Sequence, residues 1–196
     1  TIPSVTGVNS GNYIVTVTNA GCTSTANVNV SVTTPTSTAS NTGPYCAGAT
    51  IQLNTPAATT YTWTGPGGFS SNAQNPTIPA STAAMSGVYT VTASTGACSS
   101  TATTTIVVNA LPIPNALATT PVCAGQAVNL TGSGGGTYSW TGPGGFTSNS
   151  ATPSIPVSAV TNSGNYILTV TAANGCTNTA SVNVVVNPLP VITVSN

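Results

Sequence analysis

The sequence predicts an all-β chain of tandem β-sandwich domains, each about 77 residues long and each held by one disulfide. Three observations predict it. Apolar residues alternate with polar ones in short runs rich in Val, Ile and Thr, the residues that suit a pleated, half-buried surface. The 20 glycines and 15 prolines punctuate these runs, so that turn signals recur at the spacing of a sandwich. A long block also recurs: Tyr61-Thr62-Trp63-Thr64-Gly65-Pro66-Gly67-Gly68-Phe69 returns 77 residues later as Tyr138-Ser139-Trp140-Thr141-Gly142-Pro143-Gly144-Gly145-Phe146.

Each strand has its own signal. Ile51 and Leu53, matched by Val128 and Leu130, alternate with polar residues as one half-buried strand. Tyr61/Trp63 and Tyr138/Trp140 mark the next. The Gly-Pro-Gly-Gly that follows is a turn, because glycine supplies positive φ and proline fixes its own. Ile78-Pro79 and Ile155-Pro156 open a short strand that proline confines to an edge or a bulge. Tyr13, Val15 and Val17 share one face of the following strand, as do Tyr89, Val91, Ala93 and Tyr166, Leu168, Val170. Turns at 19–21, 94–96 and 172–175 lead into a last strand. It reads Ala26, Val28, Val30, Val32, then Ala102, Thr104, Ile106, Val108, then Ala180, Val182, Val184, Val186.

The repeat divides the chain. Residues 35–110 and 111–188 are two whole repeats, 1–34 match the back half of another, and 189–196 match the start of a next. Two origins fit the partial ends: a chain cut from a longer array, or half-repeats that complete one another between chains by strand donation. The tail supplies about one strand and the head lacks about four, which favours the longer array.

Composition restricts function sharply. An average soluble chain is about 25% charged, or roughly 49 residues at this length, and here Lys, Arg, Asp, Glu and His are all absent. No side chain can serve as a carboxylate or imidazole acid/base, and nothing can activate the abundant hydroxyls. The sequence therefore predicts no enzyme, no cofactor, no metal site and no calcium requirement. Nucleic-acid binding and attraction to anionic lipid both need basic residues. No apolar run approaches the ~20 residues of a membrane-spanning helix.

Five cysteines follow the repeat. Cys46 and Cys98 lie 52 apart and Cys123 and Cys176 lie 53 apart, which predicts the disulfides Cys46–Cys98 and Cys123–Cys176 within single domains. Such small cores are marginal alone. Closing a loop of about 53 residues would remove denatured-state entropy worth on the order of 4 kcal/mol. Cys22 matches Cys98 and Cys176 and is left unpaired in this window: its partner lies upstream, or it is a free or interchain thiol. Persistent disulfides point to an oxidising, extracellular or cell-surface setting.

Cys46…Trp63…Ser86-Gly87-Val88-Tyr89 and Cys123…Trp140…Ser163-Gly164-Asn165-Tyr166 resemble the immunoglobulin pattern. The resemblance places Tyr89 and Tyr166 at tyrosine corners and Trp63 and Trp140 in the core as strand-C tryptophans, and Tyr13, which matches the other two tyrosines, is expected in a core with them. It departs where the family's second cysteine should fall: Val91 and Leu168 stand there. The whole chain is similar to the tandem Ig-like (PKD-like) repeats of large secreted or cell-surface proteins of Bacteroidetes-type bacteria. The matching stretches include Val122-Cys123-Ala124-Gly125 and Asn174-Gly175-Cys176. The PKD Trp-Asp-Phe-Gly-Asp-Gly signature is missing, which favours Ig-like over PKD. The resemblance implies surface adhesins, gliding-associated proteins or spacer arrays.

Two surfaces are candidates for contact. Gly65, Pro66, Phe69 and Gly142, Pro143, Phe146 form either a presented loop or a tight hairpin with Phe tucked over its own core. Thr90/Thr92 and Thr101/Thr103/Thr105 line an outer face that is a plain soluble β surface, a template or a glycosylation site. Soluble β-proteins guard their edges with charge, and net charge near zero promotes association. The sequence therefore predicts a non-enzymatic structural protein whose repeats pack with copies of themselves, or with an uncharged surface or polysaccharide, into a filament or sheath. The alternative is an adhesin stalk or spacer array that presents a terminal domain, carbohydrate-binding among the options.

Overall fold

The computed structural model describes residues 7–33, 35–96 and 98–194. Residues 1–6, 34, 97 and 195–196 lie outside them. The described residues form strands joined by turns and short 3-10 segments, with no α-helix among them. They divide into two units, Thr1–Val108 and Asn109–Asn196.

The first unit begins with a hairpin. Strands β1 (Gly11–Asn19) and β2 (Cys22–Val30) pair from Gly11↔Val30 to Asn19↔Cys22. Ala20 (φ 51) and Gly21 (φ 83) make the two-residue turn. Positive φ at both positions matches the twist of the flanking strands. A sandwich follows in the same unit: β3 (Ser40–Asn41), β4 (Tyr45–Cys46), β5 (Ile51–Asn54), β6 (Thr60–Gly65), β7 (Phe69–Ser71), β8 (Thr77–Ile78), β9 (Gly87–Thr95), β10 (Cys98–Ile106) and β11 (Val108–Asn109). One sheet has the order β3-β5-β8 and the other β10-β9-β6-β7. Between Asn41 and Tyr45 the chain leaves the first sheet, passing the cis Gly43-Pro44 bond, and β4 joins β11. The Tyr45 amide donates to the Val107 carbonyl at 2.9 Å there.

The second unit repeats the pattern in β12 (Asn115–Ala118), β13 (Val122–Cys123), β14 (Val128–Ser133), β15 (Thr137–Gly142), β16 (Phe146–Ser148), β17 (Ser154–Ile155), β18 (Gly164–Thr171), β19 (Thr177–Val184) and β20 (Val186–Asn187). Its sheets are β12-β14-β17 and β16-β15-β18-β19, and β13 runs parallel beside β20 with Cys123 opposite Asn187. A three-stranded sheet facing a four-stranded one, with a first strand shared between them, is an Ig-like sandwich.

Alternation puts the core between the sheets. Ile51 and Leu53 from one sheet meet Trp63, Tyr89, Val91 and Ile106 from the other, all fully buried. Val128, Leu130, Trp140, Tyr166, Leu168 and Val170 do the same in the second unit. Each tryptophan faces an aliphatic neighbour across the sheet, Trp63↔Val91 and Trp140↔Leu168. Tyr13 departs from its expected place in a core: its side chain is 40% exposed. Both faces of the β1–β2 hairpin are exposed along nearly their whole length, because no opposing sheet covers them among the described residues. Its hydroxyl nonetheless donates to the Asn9 carbonyl at 2.9 Å.

Candidate contact surface

The Gly-Pro-Gly-Gly-Phe segments close onto their own domains. Tyr89 donates to the Met85 carbonyl at 3.0 Å and Tyr166 to the Asn162 carbonyl at 2.9 Å, which are tyrosine corners four residues wide. Phe69 lies edge-on to Tyr89, with ring centroids 5.5 Å apart, and Phe146 to Tyr166 at 5.3 Å. Such pairs contribute about 0.5–1.5 kcal/mol beyond their burial. Gly65 and Gly142 have extended backbone that any residue adopts (φ −169 and −168), so conformation does not demand glycine. Space does: a methyl group at either position would overlap the Tyr89 or Tyr166 ring. The presented-loop reading is therefore corrected. Gly65, Pro66 and Phe69 are half-buried, as are Gly142, Pro143 and Phe146, and only the paired glycines between them are exposed. Gly65→Ala and Gly142→Ala should each destabilise their own unit by about 1–3 kcal/mol through overpacking. Thermal melts check this, and an unchanged melting temperature would contradict the packing.

A clamp that the sequence reading passes over lies beside each tyrosine. The Val108 amide donates to Ser86 Oγ at 2.9 Å, the Val186 amide to Ser163 Oγ at 2.9 Å, and the Val32 amide to Ser10 Oγ at 2.8 Å. Each serine ties the end of the last strand to the start of the tyrosine strand. The signal was the serine-glycine pair that precedes every one of the three tyrosines by two or three residues.

The outer face of the four-stranded sheet is where hydroxyls collect. Strand register aligns them in rows: Thr60, Ser94 and Ser99; Thr62, Thr92 and Thr101; Thr64, Thr90 and Thr103. The second unit matches with Thr137, Thr171 and Thr177; Ser139, Thr169 and Thr179; and Thr141, Ile167 and Ser181. The β1–β2 hairpin carries the same motif in Thr16↔Thr25 and Thr18↔Thr23. Sheet geometry spaces these groups about 4.8 Å across strands and roughly 6.7 Å along them. Shallow grooves of about 500 and 580 Å³ recur at matching places beside this face, lined by Thr60, Tyr61, Thr62, Asn72 and by Thr137, Tyr138, Ser139, Asn149. Hydroxyl and amide groups there can exchange hydrogen bonds with any uncharged polar surface, and no charge has to be desolvated.

The cysteines do not pair as expected. Cys46 and Cys176 are half-cystines, whereas Cys98 and Cys123 carry free thiols, as does Cys22. Strand length is the reason that Cys46–Cys98 and Cys123–Cys176 do not form. Cys46 sits beside the end of the β10–β11 segment and Cys98 begins it. Cys123 faces Asn187, whereas Cys176 immediately precedes β19. Ten or eleven extended residues separate the two levels in each domain, roughly 30 Å at 3.3 Å per residue. A disulfide requires Cα atoms within about 7 Å. The entropy expected from a staple inside each domain is therefore absent.

No protein-family model matches the chain, and no curated protein matches it. Among solved structures it is similar to the amphioxus IgVJ-C2 molecule, with 18% identity over 73% of this chain and 99% of that one, at a TM-score of 0.35. It is similar to the N-terminal eight Ig domains of Down Syndrome Cell Adhesion Molecule, with 15% identity over 95% of this chain and 28% of that one, at 0.44. It is also similar to three N-terminal domains of the bacteriophage RB49 outer capsid protein Hoc, with 18% identity over 77% of this chain and 59% of that one, at 0.39. No helix among the described residues is long and apolar enough to cross a membrane.

Proposed function

We propose that this chain is a repeat segment of a non-enzymatic, extracellular structural protein whose Ig-like domains pack side by side into a surface filament or sheath. The observation that carries the reading is the uncharged hydroxyl face, repeated in register in both units beside matching grooves. Edge strands β7 and β10, and their counterparts β16 and β19, carry no Lys or Glu to block pairing with another sheet. The half-cystines fit an oxidising compartment. The motif likeness supports an origin among the Ig-like, PKD-related repeats of large secreted proteins of Bacteroidetes-type bacteria. The partners are copies of the chain, with an uncharged polysaccharide as the other surface that this face fits.

Sedimentation of the purified chain tests the proposal. Association should grow with protein concentration and stay the same in low and high salt, since no ion pairs are screened. Lysines introduced together at Thr62, Thr92 and Thr101 should abolish it by charging one row. A chain that stays monomeric at high concentration in both salts overturns the filament reading and leaves the stalk.

A further inference from the structure

We propose that Asn174 is a self-modifying site: its side-chain amide cyclises onto the Gly175 nitrogen, loses ammonia and hydrolyses to a carboxylate. The product is the first charged side chain in a sequence that holds no Lys, Arg, Asp, Glu or His.

Sequence narrows the choice to one position. Among the asparagines, Asn174 alone precedes a glycine. Ring closure needs a following backbone nitrogen that can lose a proton and that the side chain can reach. Asn75 and Asn187 fail the first condition, because proline follows each and has no N–H. A neighbour with a side chain crowds the nitrogen, and glycine does not.

The turn then poses the side chain. Asn174 and Gly175 are both exposed in the segment that links β18 to β19. The Cys176 amide donates to Asn174 Oδ1 at 3.1 Å. That bond folds the side chain forward over its own backbone, as in an Asx turn, and turns Cγ toward the Gly175 nitrogen. It also polarises the Cγ carbonyl and supports the negative charge that gathers on Oδ1 during attack. Gly175 has φ +84, and nothing lies within 4 Å of where its side chain would stand, so the approach is open. The Gly175 N–H donates to the Ala172 carbonyl at 2.9 Å, which slows loss of the proton without blocking it. Asn41 is the contrast within the same chain. The Gly43 amide donates to Asn41 Oδ1 at 2.8 Å, the same forward fold. Thr42 follows it, however, and its branched side chain shields the nitrogen. Asn41 Nδ2, the leaving group, is tied to Thr104 Oγ1 at 2.8 Å and to the Thr105 carbonyl at 3.0 Å.

The chemistry needs only water. Solvent hydroxide removes the Gly175 amide proton, since the chain has no carboxylate, imidazole or amine side chain to do so. The nitrogen's electron pair forms the N–Cγ bond, and the Cγ–Nδ2 bond breaks as ammonia departs with a proton from water. A second step adds water to either carbonyl of the succinimide ring. One opening leaves an aspartyl residue at position 174, and the other an isoaspartyl linkage. In sum, one amide and one water become one carboxylic acid and one ammonia, and the acid ionises at neutral pH.

The test incubates the folded full chain at mildly alkaline pH and follows it by isoelectric focusing, peptide mapping and isoaspartyl-specific methylation. The expected result is one acidic species that grows with time, co-migrates with Asn174→Asp and releases an equal amount of ammonia. Methylation should fall on the peptide that holds position 174, with Asn41 still an amide. Asn174→Gln should lose the acidic species while its Trp140 fluorescence melts as in the parent. A folded chain that stays neutral over the time in which the same chain in denaturant converts overturns the proposal. So does an acidic species undiminished in Asn174→Gln, which places the reaction elsewhere. None of these readouts depends on association between copies, so a monomeric chain that acquires this charge would sink the filament reading alone.

Discussion

Trp63→Ala and Trp140→Ala should each strongly destabilise one unit and spare the other. Both indoles are fully buried at the centre of their sandwiches, against Val91 and Leu168 across the sheet. Removing a buried tryptophan costs about 3–5 kcal/mol, the lost transfer energy plus the cavity left behind. A whole domain is stable by only about 5–15 kcal/mol. In a domain of this size each kcal/mol is worth about 4–8 °C, so the melting temperature of the altered unit should fall by roughly 12 °C or more. The chain provides its own reporter, because its two tryptophans fall one in each unit. In Trp63→Ala the remaining fluorescence follows the second unit alone and should melt as in the parent, while calorimetry shows the first unit's transition displaced. Measured under reducing conditions, equal destabilisation of both transitions would show that the units do not fold as separate cores.

The two tryptophans also mark where the repeated sequence stops being informative. Trp63 Nε1 donates to the Gln74 carbonyl at 3.2 Å, whereas Trp140 Nε1 has no partner among the described residues. The carbonyl at the matching position, Ala151, accepts from Gly132 instead at 2.7 Å. The Thr55 amide, which matches that of Gly132, donates to Asn75 Oδ1 at 3.0 Å, so the two units differ here outside the repeated motif. The sandwich itself was readable because alternation and the Trp and Tyr positions state which face of each strand is buried. The cysteine pairing was misread because chain separation says nothing about which ends of a sandwich two residues occupy. The strand lengths did hold the answer: Cys98 begins a nine-residue strand, and Cys46 lies beside the continuation of its far end. The loop was ambiguous for another reason. An exposed and a tucked phenylalanine have the same sequence, and only the tyrosine ring against Gly65 and Gly142 separates them.

Stability should be flat from about pH 4 to pH 8 and fall only in alkali. Acid unfolding comes from carboxylates that must be protonated and buried histidines that must charge, and this chain contains neither. The alkaline limb follows from Tyr89 and Tyr166. Burial pushes both phenols above their ordinary value of 10.0, because the charged phenolate would be stripped of water inside the core. Below pH 10 the phenol is protonated in both the folded and the unfolded chain, and its contribution to stability is fully present. Above pH 10 the unfolded chain ionises first. Stability is then lost at up to about 1.4 kcal/mol per pH unit for each tyrosine until the raised folded value is reached. Each unit holds one such residue, so both should unfold in alkali. Tyr166→Phe should lower the second unit's stability at neutral pH by about 1 kcal/mol, the net value of its corner hydrogen bond. The same change should remove much of that unit's alkaline loss, so that the variant overtakes the parent at high pH. Chemical denaturation at a series of pH values, followed by the tryptophan of each unit, measures both effects. An acid transition, or an alkaline limb unaltered in Tyr166→Phe, would show that some other group governs the response.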